Sequence, residues 1–216
     1  MSFRRPLSAL VVFVGLALGG LGAARAEPAA DAAGFVNDMV GQAIKTLDNK
    51  QLTEQDRVNH FRTLLVQDFD MPLIARFVVG RYWAEASDQE KQQFQALFQE
   101  YVVRAYAQRF SEYSGETVKI LGSRKASETS TLVQSQVLRP NGAPPAKVDW
   151  RVRKGDAGFK VVDVDVEGVS MVLTQREEFG SVMQRTGGVA GLNKTLEEKL
   201  ASGDTSLAAP VLPKKN

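Results

Sequence analysis

The chain contains no cysteine and a single histidine, His60. The lack of cysteine excludes disulfides, thiolate metal sites and cysteine nucleophiles. A lone histidine cannot build a multi-histidine metal centre, and a surface or helix-packing role suits His60 better than metal ligation. The G-x-S-x-G, P-loop and H-E-x-x-H patterns are also missing. We therefore expect no metal site, no cofactor and no catalytic residues, since no nucleophile–base pair is evident.

Long apolar runs are absent beyond the N-terminus, where the pattern is that of a secretory signal peptide. The basic pair Arg4-Arg5 precedes an apolar run, and Ala24-Arg25-Ala26 forms an A-x-A cleavage site. The run from Leu7 to Leu21 is short for a membrane span, which needs about 20 residues. We predict cleavage of residues 1–26 and a periplasmic mature protein. Without a cysteine to carry a lipid anchor, that protein would diffuse freely between the two membranes.

The mature chain also has little net charge. Cleavage removes three arginines and no acidic residue, so the formal charge changes from +2 to −1. Nothing in this balance indicates a nucleic-acid partner. We expect a monomer that makes only transient contacts with membrane proteins.

Hydrophobic spacing predicts helices on both sides of a central β region. Capping boxes at Thr53–Asp56 and Ser87–Glu90 begin two of the helices, and Asp70 caps a short one that ends near Gly80. The Ser87 box begins the longest helix, predicted over residues 88–113 with Gly115 as its C-cap. A further capping box is predicted at Thr174 and Glu177, and Gly187-Gly188 separates the last two helices.

Alternating residues between positions 118 and 167 predict about four mostly antiparallel strands. The order of helices, strands and helices predicts an α+β domain with helices packed on one sheet. We assign residues 27–34 to a flexible leader, 35–201 to a single domain and 202–216 to a disordered tail.

Several motifs occur in a fixed order behind the predicted signal peptide. They are FDMPLIARFVVGRYW from Phe69, FQALFQEYVVRAYAQRF from Phe94, VDWRVRK from Val148, VVDVDVEGVS from Val161 and QREEF from Gln175. Over residues 35–200 the chain thereby resembles the MlaC family, also called toluene-tolerance auxiliary proteins.

The resemblance implies a soluble phospholipid carrier of an ABC-type transport system that maintains outer-membrane lipid organisation. Its partners would be the substrate-binding subunit of an inner-membrane ABC transporter and an outer-membrane lipoprotein complex. It also implies a curved sheet with an apolar pocket between sheet and helices, where the acyl chains are buried and the headgroup is left in solvent.

On this basis we predict a lipid-binding wall formed by apolar residues of the motifs. These are Phe77, Val78, Phe98, Val102, Tyr106, Phe110, Val133, Val148, Trp150, Val164, Val166, Val169 and Met171. Candidate contacts for a headgroup or a partner protein are Arg76, Arg81, Arg109 and Arg151. Ordinary packing in the core remains the alternative for each apolar residue, and a solvated or ion-paired surface position is the alternative for each arginine.

Other functions remain open from the sequence. The ligand could be a hopanoid, as in the hopanoid-associated branch of the same family. A lipid hydrolase is a second alternative, and it would need an activated nucleophile. A non-lipid chaperone for envelope proteins would use an exposed apolar groove. Asp163, Asp165 and Glu167 alternate along one strand, and we interpret them as a solvated or cation-paired row rather than an ion site.

Overall fold

The computed structural model describes residues 28–156 and 158–207 of the 216-residue chain. The helices are α1 Pro28–Asp48, α2 Glu54–Asp68, α3 Met71–Val79, α4 Tyr82–Glu85, α5 Asp88–Ala107, α6 Met171–Thr186 and α7 Val189–Ser202, with a 3₁₀ turn at Phe110–Glu112. The strands are β1 Thr117–Lys125, β2 Ser130–Leu138, β3 Ala146–Gly155, β4 Gly158–Val166 and β5 Val169–Ser170. The predicted α+β class is confirmed. The predicted signal peptide, residues 1–26, lies outside the described residues.

Local capping explains where several helices begin. Two of the three predicted capping boxes are formed, Thr53 with Asp56 before α2 and Ser87 with Glu90 before α5. The Asp70 side chain accepts a hydrogen bond from the Leu73 amide, which begins α3. These side chains occupy amide donors that the first turn of a helix leaves without an intrahelical partner.

Two predicted helix boundaries are wrong. The longest helix ends at Ala107 instead of residue 113, and the chain makes a 3₁₀ turn before Gly115. Helix α6 begins at Met171, because the Ser170 hydroxyl accepts a hydrogen bond from the Leu173 amide. Thr174 is therefore inside the helix, where its hydroxyl bonds to the carbonyl of Ser170.

The sheet is an antiparallel meander with the strand order β1-β2-β3-β4-β5. It has one short strand more than the sequence predicted, because β4 turns at Glu167 and Gly168 to pair with β5. Both turn residues have positive φ, 52° and 83°, as a tight two-residue hairpin requires. Register shifts at Ile120/Gly122 and Arg151/Val152 mark bulges, which bend strands and increase their twist.

Two buried clusters form the core. The larger one joins α3, α5, α6 and α7 around the aromatic side chains of Phe94, Phe98 and Phe179. The smaller one joins α1 to one part of the sheet, with Val36 packed among Val133, Val152 and Val161. Phe69 borders both clusters. The same face of the sheet therefore meets α1 in one region and faces the helical cluster in another.

The structure describes parts of both the predicted leader and the predicted tail. Helix α1 begins at Pro28, so most of the predicted leader, 27–34, is helical. Residues 203–207 of the predicted tail follow α7 and pack on the domain, where the Leu207 amide donates to the Tyr101 hydroxyl at 2.7 Å. Among the described residues, no helix has the length and hydrophobicity needed to cross a membrane.

Candidate binding cavity

A cavity of about 410 Å³ lies between the sheet and the helices. Its volume is within the range of small-molecule pockets, roughly 300–1,000 Å³. It is lined by Val40, Ala43, Ile44, Leu47, Phe61, Leu65, Phe69, Met71, Ile74, Val78, Phe98, Val102, Tyr106, Arg109, Tyr113, Glu116, Val118, Val137, Val148, Trp150, Asp163, Val164, Val166, Met171, Val172 and Gln175. Most of these side chains are apolar, so the cavity suits an apolar ligand that varies in shape.

Strand register builds the floor of the cavity. Val118 is paired with Val137 across β1 and β2, and Trp150 is paired with Val164 across β3 and β4. Directly opposed residues share one face of a sheet, and side chains on that face alternate with those on the other. The alternation of apolar and polar residues in β3 thus places its apolar side chains on the cavity side.

Trp150 contributes a ring to the floor without leaving its polar atom unsatisfied. Its indole Nε1 donates to the Ser135 hydroxyl at 3.0 Å, and that hydroxyl donates to the carbonyl of Val148 at 2.6 Å. Ser135 is fully buried. This relay satisfies the polar groups of the floor within the sheet, so the surface presented to a ligand is apolar.

Helices α1, α2, α3 and α5 supply the wall opposite the floor. Val40, Ile44 and Leu47 recur along one side of α1, as helical periodicity requires. Burial raises the pKa of Tyr106 on α5 above its ordinary value. Part of the Tyr106 surface nevertheless remains accessible, because the side chain borders the cavity. The Tyr106 ring also packs against Phe61 of α2, with centroids 5.9 Å apart.

One group of polar residues lies where α1 and α5 end. Arg109, Tyr113 and Glu116 line the cavity there and are partly exposed. The Tyr113 hydroxyl donates to Asp48 at 2.8 Å and so connects the segment after α5 with the end of α1. Burial, followed by this hydrogen bond and the charge of Asp48, raises the pKa of Tyr113 to about 12. The phenol therefore stays protonated and remains a donor at physiological pH.

Asp163 is the carboxylate beside the start of α6. One of its oxygens accepts from the amides of Val164 and Val172, at 2.8 and 3.1 Å, and the other accepts from the Ser170 hydroxyl at 2.6 Å. A carboxylate at the N-terminus of a helix is stabilised by the helix dipole. Asp163 therefore joins β4 to α6.

Asp163 and Asp165 of β4 and Glu167 of the following turn do not act as one row. Asp163 bonds to α6, Asp165 lies opposite Asp149 of β3, and the Glu167 carboxylate accepts from the Lys147 amide at 2.8 Å. Across the part of the chain that the structure describes, no group of histidine, cysteine and acidic side chains could hold a metal ion.

Most of the predicted lipid-binding residues border the cavity. They are Val78, Phe98, Val102, Tyr106, Val148, Trp150, Val164, Val166 and Met171. The structure brings these residues together from α3, α5, β3, β4 and α6, although they are far apart in sequence.

Four predicted lipid-binding residues lie elsewhere, and their placement is a correction. Val133 shares the inner face of the sheet but is fully buried in the cluster with α1. Phe110 packs edge-on against Phe61, with centroids 5.5 Å apart. Phe77 and Val169 are exposed on the outer surface.

Only one of the four candidate arginines borders the cavity. That residue is Arg109. Arg76 is on the exposed side of α3, and Arg81 stacks on Tyr82, with its guanidinium carbon 5.0 Å from the ring centroid. Arg151 pairs with Asp163 in the strand register but is not among the residues that line the cavity.

Comparison with known proteins identifies the family. The family model described as MlaC protein matches residues 37–198. The chain belongs to the MlaC family. This agrees with the resemblance carried by the sequence motifs, and the hopanoid-associated branch is not distinguished by the match.

Two known proteins are similar to this chain. The intermembrane phospholipid transport system binding protein MlaC of Haemophilus influenzae is 23% identical over 146 residues, which cover 64% of this chain and 68% of that protein. A solved structure of the phospholipid-binding protein from Ralstonia solanacearum, in complex with a phospholipid, matches with a TM-score of 0.71 and 28% identity. That match covers 80% of this chain and 98% of the other.

Sequence reasoning missed the contribution of the first two helices to the cavity. Val40 and Ile44 of α1 and Phe61 of α2 border it, yet they lie before the motifs that carried the resemblance. Their helical spacing was a usable signal, since it marked one apolar face on each helix. Spacing does not say whether that face meets side chains or an empty volume.

Proposed function

We propose that this MlaC family member binds a phospholipid by its acyl chains in the cavity. We further propose that it carries the lipid through the periplasm between an outer-membrane lipoprotein complex and an inner-membrane ABC transporter. The observation that supports this most is the apolar cavity between floor and helices, in a chain whose fold matches a phospholipid-bound protein. The cavity offers binding surface, so we propose a carrier rather than an enzyme.

The energetics of lipid transfer require such an enclosure. Each methylene removed from water contributes about 0.8 kcal/mol. Two acyl chains of roughly sixteen carbons therefore represent on the order of 25 kcal/mol of exposure cost. A carrier must cover most of that surface, and adaptable apolar side chains such as Val148, Val164 and Met171 can do so without specific hydrogen bonds.

In this proposal the headgroup lies near the polar residues at the ends of α1 and α5. The guanidinium of Arg109 can donate to a phosphate in a paired geometry. The Tyr113 phenol is a further polar group at the same place. Neither group is needed to hold the acyl chains, so we expect headgroup identity to affect lipid binding less than burial of the chains does.

The cellular part of the proposal rests on the sequence. The N-terminal pattern of residues 1–26 predicts export, and the curated relative is named as part of an intermembrane transport system. A periplasmic carrier without its own energy source would equilibrate lipid between its two partners. Direction would then be set by those partners.

The test is mass spectrometry of the protein purified from a bacterial periplasm under non-denaturing conditions, with a cavity variant beside it. We expect co-purified lipid in the wild type. Val164→Asp should lower lipid loading at least about tenfold, because it places an ionised carboxylate against the chains. Leu121→Asp is the matched control, since Leu121 is exposed on β1 and does not border the cavity.

Three results would contradict the proposal. The first is a wild-type protein that neither carries lipid nor extracts it from vesicles. The second is equal lipid loading in the Val164→Asp and Leu121→Asp variants while both remain folded. The third is a bound species that is only a hopanoid, which would retain the carrier but replace its ligand.

A further inference from the structure

Helix α3 is apolar on both its buried and its exposed side. Its inner side chains, Ile74 and Val78, border the cavity. On the outside, Leu73 and Phe77 are 36% and 41% exposed, and the only charged residue of the helix, Arg76, lies beside them. A helix that only packs on a core normally turns polar side chains to water. The outer side of α3 therefore lacks the composition of an ordinary solvated surface.

Helix α6 extends this surface. Leu173 is 51% exposed, and one turn further along the helix the guanidinium of Arg176 lies over the Phe77 ring, 4.9 Å from its centroid. The contact fixes α6 against α3 on the outside of the domain. We define the α3–α6 patch as Leu73, Arg76, Phe77, Leu173 and Arg176.

The cationic groups of the α3–α6 patch are available to an anion. Neither Arg76 nor Arg176 forms an ion pair with a carboxylate within residues 28–156 and 158–207. Gly80 lets Arg176 lie close to the end of α3, since a Cβ built at Gly80 would be 3.0 Å from the Arg176 Nη2 atom. Glu177, one turn after Leu173 on α6, is also exposed and places one carboxylate on the α6 side, beside Leu173.

We propose that the α3–α6 patch is a docking surface for an anionic phospholipid bilayer. Exposed leucine and phenylalanine side chains bordered by arginine are the composition of protein surfaces that lie in a membrane interface. The guanidinium groups pair with lipid phosphates, while the apolar side chains enter the boundary of the acyl region. The inner sides of the same two helices line the cavity through Ile74, Val78 and Val172. Docking therefore sets the cavity wall directly against the lipid source.

The composition of the patch favours a bilayer over an acidic protein surface. On α3 the exposed positions carry only proline, leucine, arginine and phenylalanine, and none offers a neutral hydrogen-bonding side chain. Protein interfaces are usually bordered by polar groups that hydrogen-bond to the partner. A bilayer needs only apolar contact and phosphate pairing, which these residues supply.

The experiment is vesicle flotation of the mature protein with phosphatidylcholine vesicles, with and without phosphatidylglycerol. The apolar variant combines Leu73→Ser, Phe77→Ser and Leu173→Ser. Its control combines Val66→Ser, Leu121→Ser and Leu138→Ser, whose side chains are 49%, 51% and 36% exposed at other places on the domain. The charge variant combines Arg76→Gln and Arg176→Gln, and its control combines Arg124→Gln and Arg185→Gln, which also lie at exposed positions.

We expect the wild type to float with the anionic vesicles and to do so less at high salt, because salt screens surface charge. The apolar variant should lose about tenfold in vesicle partitioning, since its serines remove apolar area from the contact. The charge variant should lose about fivefold per arginine on anionic vesicles only. Both controls should stay within about twofold of the wild type, since neither changes the α3–α6 patch.

Three outcomes would overturn the docking proposal. The first is equal flotation with anionic and neutral vesicles, and the second is an equal loss in the control variants. The third is a photo-crosslinker at position 173 that, in the bacterial envelope, forms adducts with protein only, which would assign the patch to a protein partner. Lipid loading of each variant is measured separately, because the patch can dock whether or not the cavity carries lipid. Failure of docking is thereby distinguished from failure of the proposed carrier function.

Discussion

Replacing Asp163 with alanine should lower the free energy of unfolding by about 2–3 kcal/mol. The variant loses the acceptor for the amides of Val164 and Val172 and for the Ser170 hydroxyl. Loss of a carboxylate at a helix start costs about 1 kcal/mol. Leaving partly buried donors without an acceptor adds about 1–2 kcal/mol.

Thermal denaturation followed by circular dichroism measures this effect. For a domain of this size, each kcal/mol shifts the melting temperature by about 2–4 °C, so the Asp163→Ala variant should melt about 5–10 °C lower. Lipid loading measured at a temperature where the variant is folded should change less than it does in Val164→Asp, because Asp163 joins β4 to α6, whereas Val164 is a proposed contact of the acyl chains.

Asp163→Asn is the informative companion variant. The asparagine side chain keeps one oxygen that accepts hydrogen bonds, where the aspartate has two. The variant should therefore recover part of the lost stability. A melting temperature within about 1 °C of the wild type for Asp163→Ala would show that β4 and α6 are joined without this carboxylate, which contradicts the prediction.

Two further predictions concern Asp165, which lies near Asp163, and the segment that follows α7. Burial, and then the charge of Asp163, raises the pKa of Asp165 above its ordinary value of 3.8, so folding favours the protonated carboxyl. The contribution of this carboxyl to stability is complete below pH 3.8 and is lost as pH rises through the raised pKa. Asp165→Asn should therefore raise the melting temperature at pH 7 and progressively less toward pH 4, and a gain equal to that of the exposed control Glu128→Gln would contradict this. Tyr101→Phe removes the acceptor of the Leu207 amide and should cost about 1 kcal/mol. Hydrogen exchange of that amide should become faster, and unchanged exchange would show that Tyr101 does not hold the segment.

Local rules predicted much of the fold. The capping side chains Thr53, Asp70 and Ser87 begin the helices they were expected to begin, because a cap depends on residues within one turn. The alternation of Val148, Trp150 and Val152 correctly placed them on one face of a strand. Ser170 was missed as the cap of α6, since Thr174 offered a competing match to the same local pattern.

The lining of the cavity was harder to predict, because it depends on which part of the sheet a helix covers. Val133 and Val164 share a face of the sheet, yet Val133 is covered by α1 and Val164 borders the empty volume. The register shift beside Val152 makes Val161 its partner, which a strict alternation through β4 does not predict. Sequence periodicity assigns a face, whereas tertiary packing decides whether that face is filled.

Binding of acyl chains in the cavity is tested most directly by detecting contact between lipid chains and individual valine methyl groups. Nuclear Overhauser effects would be measured between isotope-labelled acyl chains and the methyls of the loaded protein. We expect contacts to Val118, Val148 and Val164, which border the cavity, and none to Val133 and Val161, which are fully buried in the cluster with α1. Contacts to Val133 or Val161, or none to the cavity valines in a protein shown to carry lipid, would contradict this expectation.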